Sequence, residues 1–144
     1  MSLQLRGRTV AVLAADGYQE LELWYPVLRA REEGATVVIV SSDPGGVDSN
    51  LGYPLLPDGQ ADPAALDALV VAGTVTGEPE YSAAQSDLIR AAAEGSARVY
   101  SVGNSAAAVR RSLGADSHDR WVAFDSADDL PDLVARLSRD LSEG

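Results

Sequence analysis

The chain has 144 residues and a formal net charge of -11, a balance that disfavours nucleic acid and anionic membrane surfaces as partners, because both select for Lys and Arg. It contains no cysteine and one histidine, His118, which excludes disulfides, thiolate chemistry and any multi-histidine metal site within one chain, so neither a metal nor another cofactor is expected. A chain of this length fits one domain, residues 1–144, and buries roughly two-thirds of the surface its unfolded form exposes. The basic residues are all arginine, which reads as a GC-rich genome or a salt-adapted cytosol rather than as a function.

No apolar run approaches the ~20 residues of a membrane span, and residues 1–8 lack the apolar centre of a secretory signal, so the expected location is cytoplasmic. Met1–Leu3 and Glu143–Gly144 read as vector-derived ends. Thr9–Ala14, TVAVLA, is a short continuous apolar run that ends at Asp16-Gly17, as a strand buried on both faces does. Residues 19–33 place Leu21, Trp24 and Leu28 at helical spacing, with Pro26 predicting a kink and Gly34 a stop. Thr36–Ser41 is a second β-branched strand, DPGG at 43–46 a loop, and 47–60 an extended, irregular stretch.

Leu66–Ala72 reads as a third strand ending at Gly73, and Ser82-Ala-Ala-Gln85 as a capping box that opens a helix closed by Gly95. Arg98–Val102 is the fourth strand, and a helix follows from about Ser105 to Ser112. After the polar loop GADSHDR comes Trp121–Phe124 as the last strand. Leu130, Leu133, Val134, Leu137 and Leu141 then mark one face of a final helix, with Asp128 or Asp129 as its cap. Strands alternating with helices through short connections predict an α/β, flavodoxin-like, doubly wound and mainly parallel sheet with helices on both faces. Ligands of such sheets sit beyond the carboxyl ends of the strands, which here carry Asp16-Gly17, Gly73-Thr74 and Gly103-Asn104.

Residues 9–40, together with LDALVVAGT and RVYSVGNSAAAV, resemble the ThiJ/PfpI family, a class I glutamine amidotransferase-like group. The likeness extends through residue 109, and its most specific part is DGYQELEL, with a glutamate at Glu22 and a proline at Pro26. In catalytic members, the resemblance implies, that glutamate hydrogen-bonds a cysteine at a strand-to-helix elbow, and backbone N–H groups of a P-G-G turn help to form an oxyanion hole. By residue order the cysteine falls on Gly103, its histidine neighbour on Asn104, and the P-G-G turn on Ala72-Gly73-Thr74. Only Glu22 is kept, and a lone carboxylate does not replace a covalent thiolate step.

The short segment RRSLGADSHDR and the turn Asp125-Ser-Ala-Asp128 are closer in layout to the C-terminal domain of large-subunit haem catalases, which also has glycine at the elbow. That likeness implies a structural role. The expectation is therefore a non-catalytic domain that self-associates or packs on another domain of the same polypeptide. The alternatives are a cysteine-independent hydrolase or lyase, or a small-molecule sensor, using a pocket at Glu22 and Gly103.

Two side chains are weak catalytic candidates. Glu22 is a retained acid or base, but its plainer role is to accept a hydrogen bond at the strand ends, since no nucleophile is placed with it. Ser105 is the only hydroxyl positioned as a substitute nucleophile, and it reads better as a helix cap, as does Asn104. The N–H groups of Gly73, Thr74, Gly103 and Asn104 are expected to cradle a small anion at a helix N-terminus. Glu20 reads as an exposed charge and His118 as a solvated loop residue. Tyr18, Trp24, Tyr25 and Trp121 read as packing aromatics, those on the first helix doubling as a contact surface.

Overall fold

The computed structural model describes residues 3–143, the side chain of Glu143 excepted. Met1, Ser2 and Gly144, expected to be vector-derived, lie outside the described residues. Five strands, β1 (Thr9–Ala14), β2 (Thr36–Ser41), β5 (Ala68–Val71), β6 (Arg98–Val102) and β7 (Trp121–Phe124), form one parallel sheet in the order β2-β1-β5-β6-β7. The strands pair in simple register, for example Val12 with Ile39 and Val70, and Tyr100 with Val70 and Val122. That order is the flavodoxin-like one, and all its pairings are parallel.

Alternation along the strands builds two apolar layers. Val10, Val12, Ala68, Val70, Tyr100 and Val102 pack with Leu23 and Val27 of α1 (Glu20–Glu32) and with Leu133 and Leu137 of α4 (Leu130–Glu143). Ala11, Leu13, Leu69, Val71 and Val99 face the other way, onto Ile89 and Ala92 of α2 (Ala83–Glu94) and Val109 of α3 (Ser105–Leu113). Each fully buried Val or Leu here contributes about 1.5–3 kcal/mol relative to exposure.

Helix α1 continues across Pro26 and stops where Gly34 takes a φ of +96°. There the Gly34 N–H donates to Arg31 O and the Ala35 N–H to Ala30 O, so the last carbonyls are satisfied by a left-handed terminal turn. The irregular stretch 47–60 contains a two-residue antiparallel pair, β3 (Val47–Asp48) and β4 (Pro54–Leu55), too short to leave a pattern in sequence.

Three local expectations are corrected. The third strand starts at Ala68 rather than Leu66, because Pro63–Ala65 form a 3-10 turn that Leu66 closes. Ser82 is the residue before α2 but makes no capping bond, since its hydroxyl pairs with the Gln85 side chain instead. A 3-10 turn, Ala127–Asp129, leads into α4, and its cap is Ser126, whose hydroxyl takes the Asp128 N–H while Asp129 accepts from the Ser126 N–H. Among the described residues no helix is long and apolar enough to cross a membrane.

Candidate functional site

Three chain segments meet at the carboxyl edge of the sheet: the first turn of α1, the residues after β5, and the elbow between β6 and α3. Gln19 precedes α1 in extended conformation, and its side-chain oxygen accepts the Glu22 N–H at 2.8 Å. Glu22 stands where a capping-box carboxylate reaches back to the cap residue. Here it reaches across the sheet edge and accepts the Gly73 N–H at 2.8 Å, while the Gln19 N–H donates to Gly73 O at 2.9 Å. One helical turn thus grips Gly73 at both of its polar backbone atoms.

Gly73 and Gly103 are glycine for steric reasons. A Cβ at Gly73 would lie 2.5 Å from Asn104 Oδ1, 2.8 Å from Glu22 Oε1 and 3.0 Å from Val102 O. Gly103 has a φ of +64°, and a Cβ there would lie 2.9 Å from Glu22 Oε2. The Glu22 carboxyl therefore fills the space that a side chain at the elbow would need. It is 6% exposed, and burial raises its pKa above the ordinary carboxylate value, opposed by the Gly73 hydrogen bond.

Three of the four N–H groups expected to cradle an anion are turned inward. Gly73 N–H goes to Glu22, Thr74 N–H to Asn104 Oδ1 at 2.8 Å, and Gly103 N–H to Phe124 O at 3.0 Å. Three of the four donors are therefore already satisfied within the protein. Asn104 does not cap α3 with its side chain. Its amide nitrogen instead donates to Thr74 Oγ1 at 3.0 Å and to Gly77 O, tying the loop after β5 to the elbow.

Ser105 does not cap α3 either, and it is fully buried. Its Oγ accepts the Val102 N–H at 3.0 Å and lies 2.7 Å from Val71 O and 2.8 Å from Val102 O, so its single proton is shared between the ends of β5 and β6. A hydroxyl held in this way has neither an accessible face nor a base to activate it.

His118 lies before β7, at the amino edge of the sheet and so opposite Glu22, and its Nδ1 accepts the Arg120 N–H at 3.1 Å. Trp24 and Tyr25 are half-buried against the α1 and α4 layer, Tyr18 is buried, and Trp121 donates to Ser101 Oγ at 2.9 Å. Two participants escape sequence reasoning. Gln19 is an uncommon cap type, although its place before an acidic first turn is a usable signal. Tyr81 donates to Ala72 O at 2.9 Å, and burial raises its hydroxyl pKa, with the Glu22 charge adding to the effect. Nothing in the neighbourhood of Tyr81 in sequence marks that contact.

Among the described residues no group of three or more His, Cys, Asp or Glu is placed to hold a metal ion. The assembled parts are a buried carboxyl, a glycine elbow and an inward-facing backbone, with no nucleophile among them.

The DJ-1/PfpI family matches residues 8–117. A stretch of 67 residues is 40% identical to the deglycase TK1284 of Thermococcus kodakarensis, taking in 44% of this chain and 40% of that protein, so the match spans about two-fifths of that relative's length. Among solved structures, Drosophila melanogaster DJ-1beta superposes with a TM-score of 0.77 at 16% identity, over 100% of this chain and 92% of that one. An AraC family transcriptional regulator from Pseudomonas putida superposes with a TM-score of 0.66 at 21% identity, over 95% and 96% of the two chains. At these identities the structural likeness is one of fold alone.

Proposed function

Because the chain belongs to the DJ-1/PfpI family and carries glycine where the catalytic members resembled above have cysteine, we propose that it is a non-catalytic member whose role is structural, acting through association. The observation that carries this reading is the interlock of Glu22 with Gly73 and Gly103. The carboxyl that would serve a nucleophile is spent on a backbone N–H and occupies the nucleophile's space. The reading predicts no turnover of ester, amide or glycated amino-acid substrates.

For association, the exposed face of α1 is the surface of choice. Leu21 and Leu28, one heptad apart, are 57% and 51% exposed, and large apolar side chains left in water on one helix face mark contact surfaces. The proposed partner is a second copy or another domain of the same polypeptide, in a cytoplasmic setting, with no nucleic acid or membrane involved. Sedimentation equilibrium tests it: the wild-type chain self-associates and Leu21→Glu with Leu28→Glu is monomeric. A wild-type monomer whose mass is unchanged by the substitutions removes self-association from the proposal.

The narrower form of the proposal, a C-terminal domain of a large-subunit haem catalase, draws on Gly103, on the short segment 110–120 and on the turn Asp125-Ser-Ala-Asp128. The surrounding open reading frame decides it. A haem-catalase domain upstream supports it, and any other neighbour contradicts it.

A second reading draws on the deglycase name of a relative. In it Glu22 is the general base of a cysteine-independent hydrolase or lyase. A raised carboxyl pKa suits a base, but this reading needs Glu22 to leave Gly73 and reach a substrate.

A further inference from the structure

Helices α1 and α4 pack side by side on one face of the sheet and bound a groove of about 510 Å³. Leu133, Leu137 and Leu141 turn α4 toward the core. Beside that stripe Ala135 and Ser138 carry small side chains one helical turn apart, which leaves room against the larger Tyr25 and Arg29 of α1. The volume is within the range of small-molecule sites. Leu21, Leu28 and Glu22 do not line the groove, so it is separate from both the α1 contact face and the elbow.

Ser138 is the residue that points to a ligand. It is 7% exposed, lines the groove, and its hydroxyl has no hydrogen-bond partner among the described residues. A buried serine within a helix can donate to the carbonyl four residues earlier, as Ser112 of α3 does to Ala108 O at 2.9 Å. Ser138 makes no such bond to Val134 O. Every fully enclosed side-chain polar atom among the described residues has a partner, so the Ser138 hydroxyl opens into the groove. An oxygen placed opposite it would relieve the cost of a hydroxyl held away from bulk water without a partner.

The charges around Ser138 are unevenly matched. Arg29 pairs with Glu32 at 2.6 Å, and Glu33 accepts the Gln4 N–H at 3.3 Å and lies 4.0 Å from Arg29. Arg139, on the α4 side of the groove, forms no salt bridge among the described residues. What is left over is a hydroxyl and a guanidinium, both donors, beside the apolar surface of Pro131, Val134 and Ala135. We infer that the groove binds a small monocarboxylate with a compact apolar body. Its carboxylate accepts from Arg139 and Ser138, and its body rests on Val134 and Ala135.

The test is an NMR titration of the isotopically labelled chain with benzoate, alongside neutral benzyl alcohol and the benzylammonium cation at matched ionic strength. The expected result is saturable movement of the amides of residues 134–142 with benzoate, and binding of the alcohol weaker by about fivefold or more. Ser138→Ala weakens benzoate binding by about fivefold, as loss of one hydrogen bond to a charged group does. The same variant melts no lower than wild type without ligand, because alanine is the better helix former and no bond within the protein is lost. Arg139→Gln weakens binding by about two- to fivefold, whereas Arg111→Gln removes the same charge from α3, on the opposite face of the sheet, and leaves the affinity unchanged. The chain carries a net charge of -11, so non-specific attraction favours benzylammonium. Equal or tighter saturation by that cation overturns the site, as does benzoate movement that never saturates or an unchanged affinity in Ser138→Ala. A lower melting temperature in Ser138→Ala overturns it too, since the hydroxyl would then be bonded within the protein.

Discussion

Glu22 and Gly103 occupy one space: a Cβ on Gly103 would stand 2.9 Å from Glu22 Oε2 and 3.1 Å from Oε1. The glutamate holds its position by accepting the Gly73 N–H. Either residue therefore constrains what the other is able to be.

A double-mutant cycle exposes that dependence. Gly103→Ala costs about 1–2 kcal/mol from placing Cβ in left-handed backbone, plus the displacement of Glu22 from Gly73. With Glu22→Ala already present, only the backbone part remains, so the two losses sum to about 1 kcal/mol more than the double variant shows. Urea unfolding measures this, and strictly additive losses would mean that the two residues do not interfere.

Stability depends on pH through Glu22 with a definite sign. Its folded-state pKa is raised above 4.5 by burial, so between that value and the raised one the native state holds more protons than the unfolded chain. Stability from this group is intact below 4.5 and falls as the pH rises through the folded pKa. Compared with wild type, Glu22→Gln gains stability over that window and then holds a constant lead. Thermal melts across the acid range check it, and a gap that narrows with rising pH contradicts the upward shift of the buried carboxyl's pKa.

Asn104 fixes the loop after β5 through Thr74 and Gly77. Asn104→Ala leaves the Thr74 N–H without its partner and costs about 1–2 kcal/mol. Hydrogen exchange at Thr74 and the next few amides accelerates, while the amides of β1 and β5 keep their protection. Asn104→Asp retains the acceptor but loses both donated bonds, and its exchange rates fall between those of the other two proteins.

Ser105→Ala removes a hydroxyl that ties the ends of β5 and β6. The Val102 N–H and the Val71 carbonyl are left buried, at a cost of about 1–3 kcal/mol measured by the urea midpoint at unchanged slope. A neutral substitution would return Ser105 to the role of an ordinary helix-start residue.

The architecture is legible in sequence because its signals are local. TVAVLA and TVVIVS are continuous apolar or β-branched runs, and a strand buried on both faces demands nothing else. Gly34 marks its helix end for an equally local reason, the left-handed turn at φ +96°. The elbow SVGNS is legible as a turn, and Glu22 as the carboxyl beneath it. The direction in which Asn104 and Ser105 point is not legible. Both have the composition of helix caps, but their partners Thr74, Gly77 and Val71 lie some thirty residues away and are brought near only by the pairing of β5 with β6. The acidic rim at the carboxyl edge is not legible for the same reason: Asp16, Asp43 and Glu80 are scattered in sequence and converge only at the edge of the folded sheet.

The central claim is that the elbow performs no chemistry, and the most direct measurement is turnover of p-nitrophenyl acetate and of a glycated N-acetyl amino acid by the purified chain at neutral pH, beside Glu22→Gln. The account predicts that both proteins match buffer. Saturable turnover by the wild-type chain that disappears in Glu22→Gln would contradict it and make Glu22 the base of a working, cysteine-independent site.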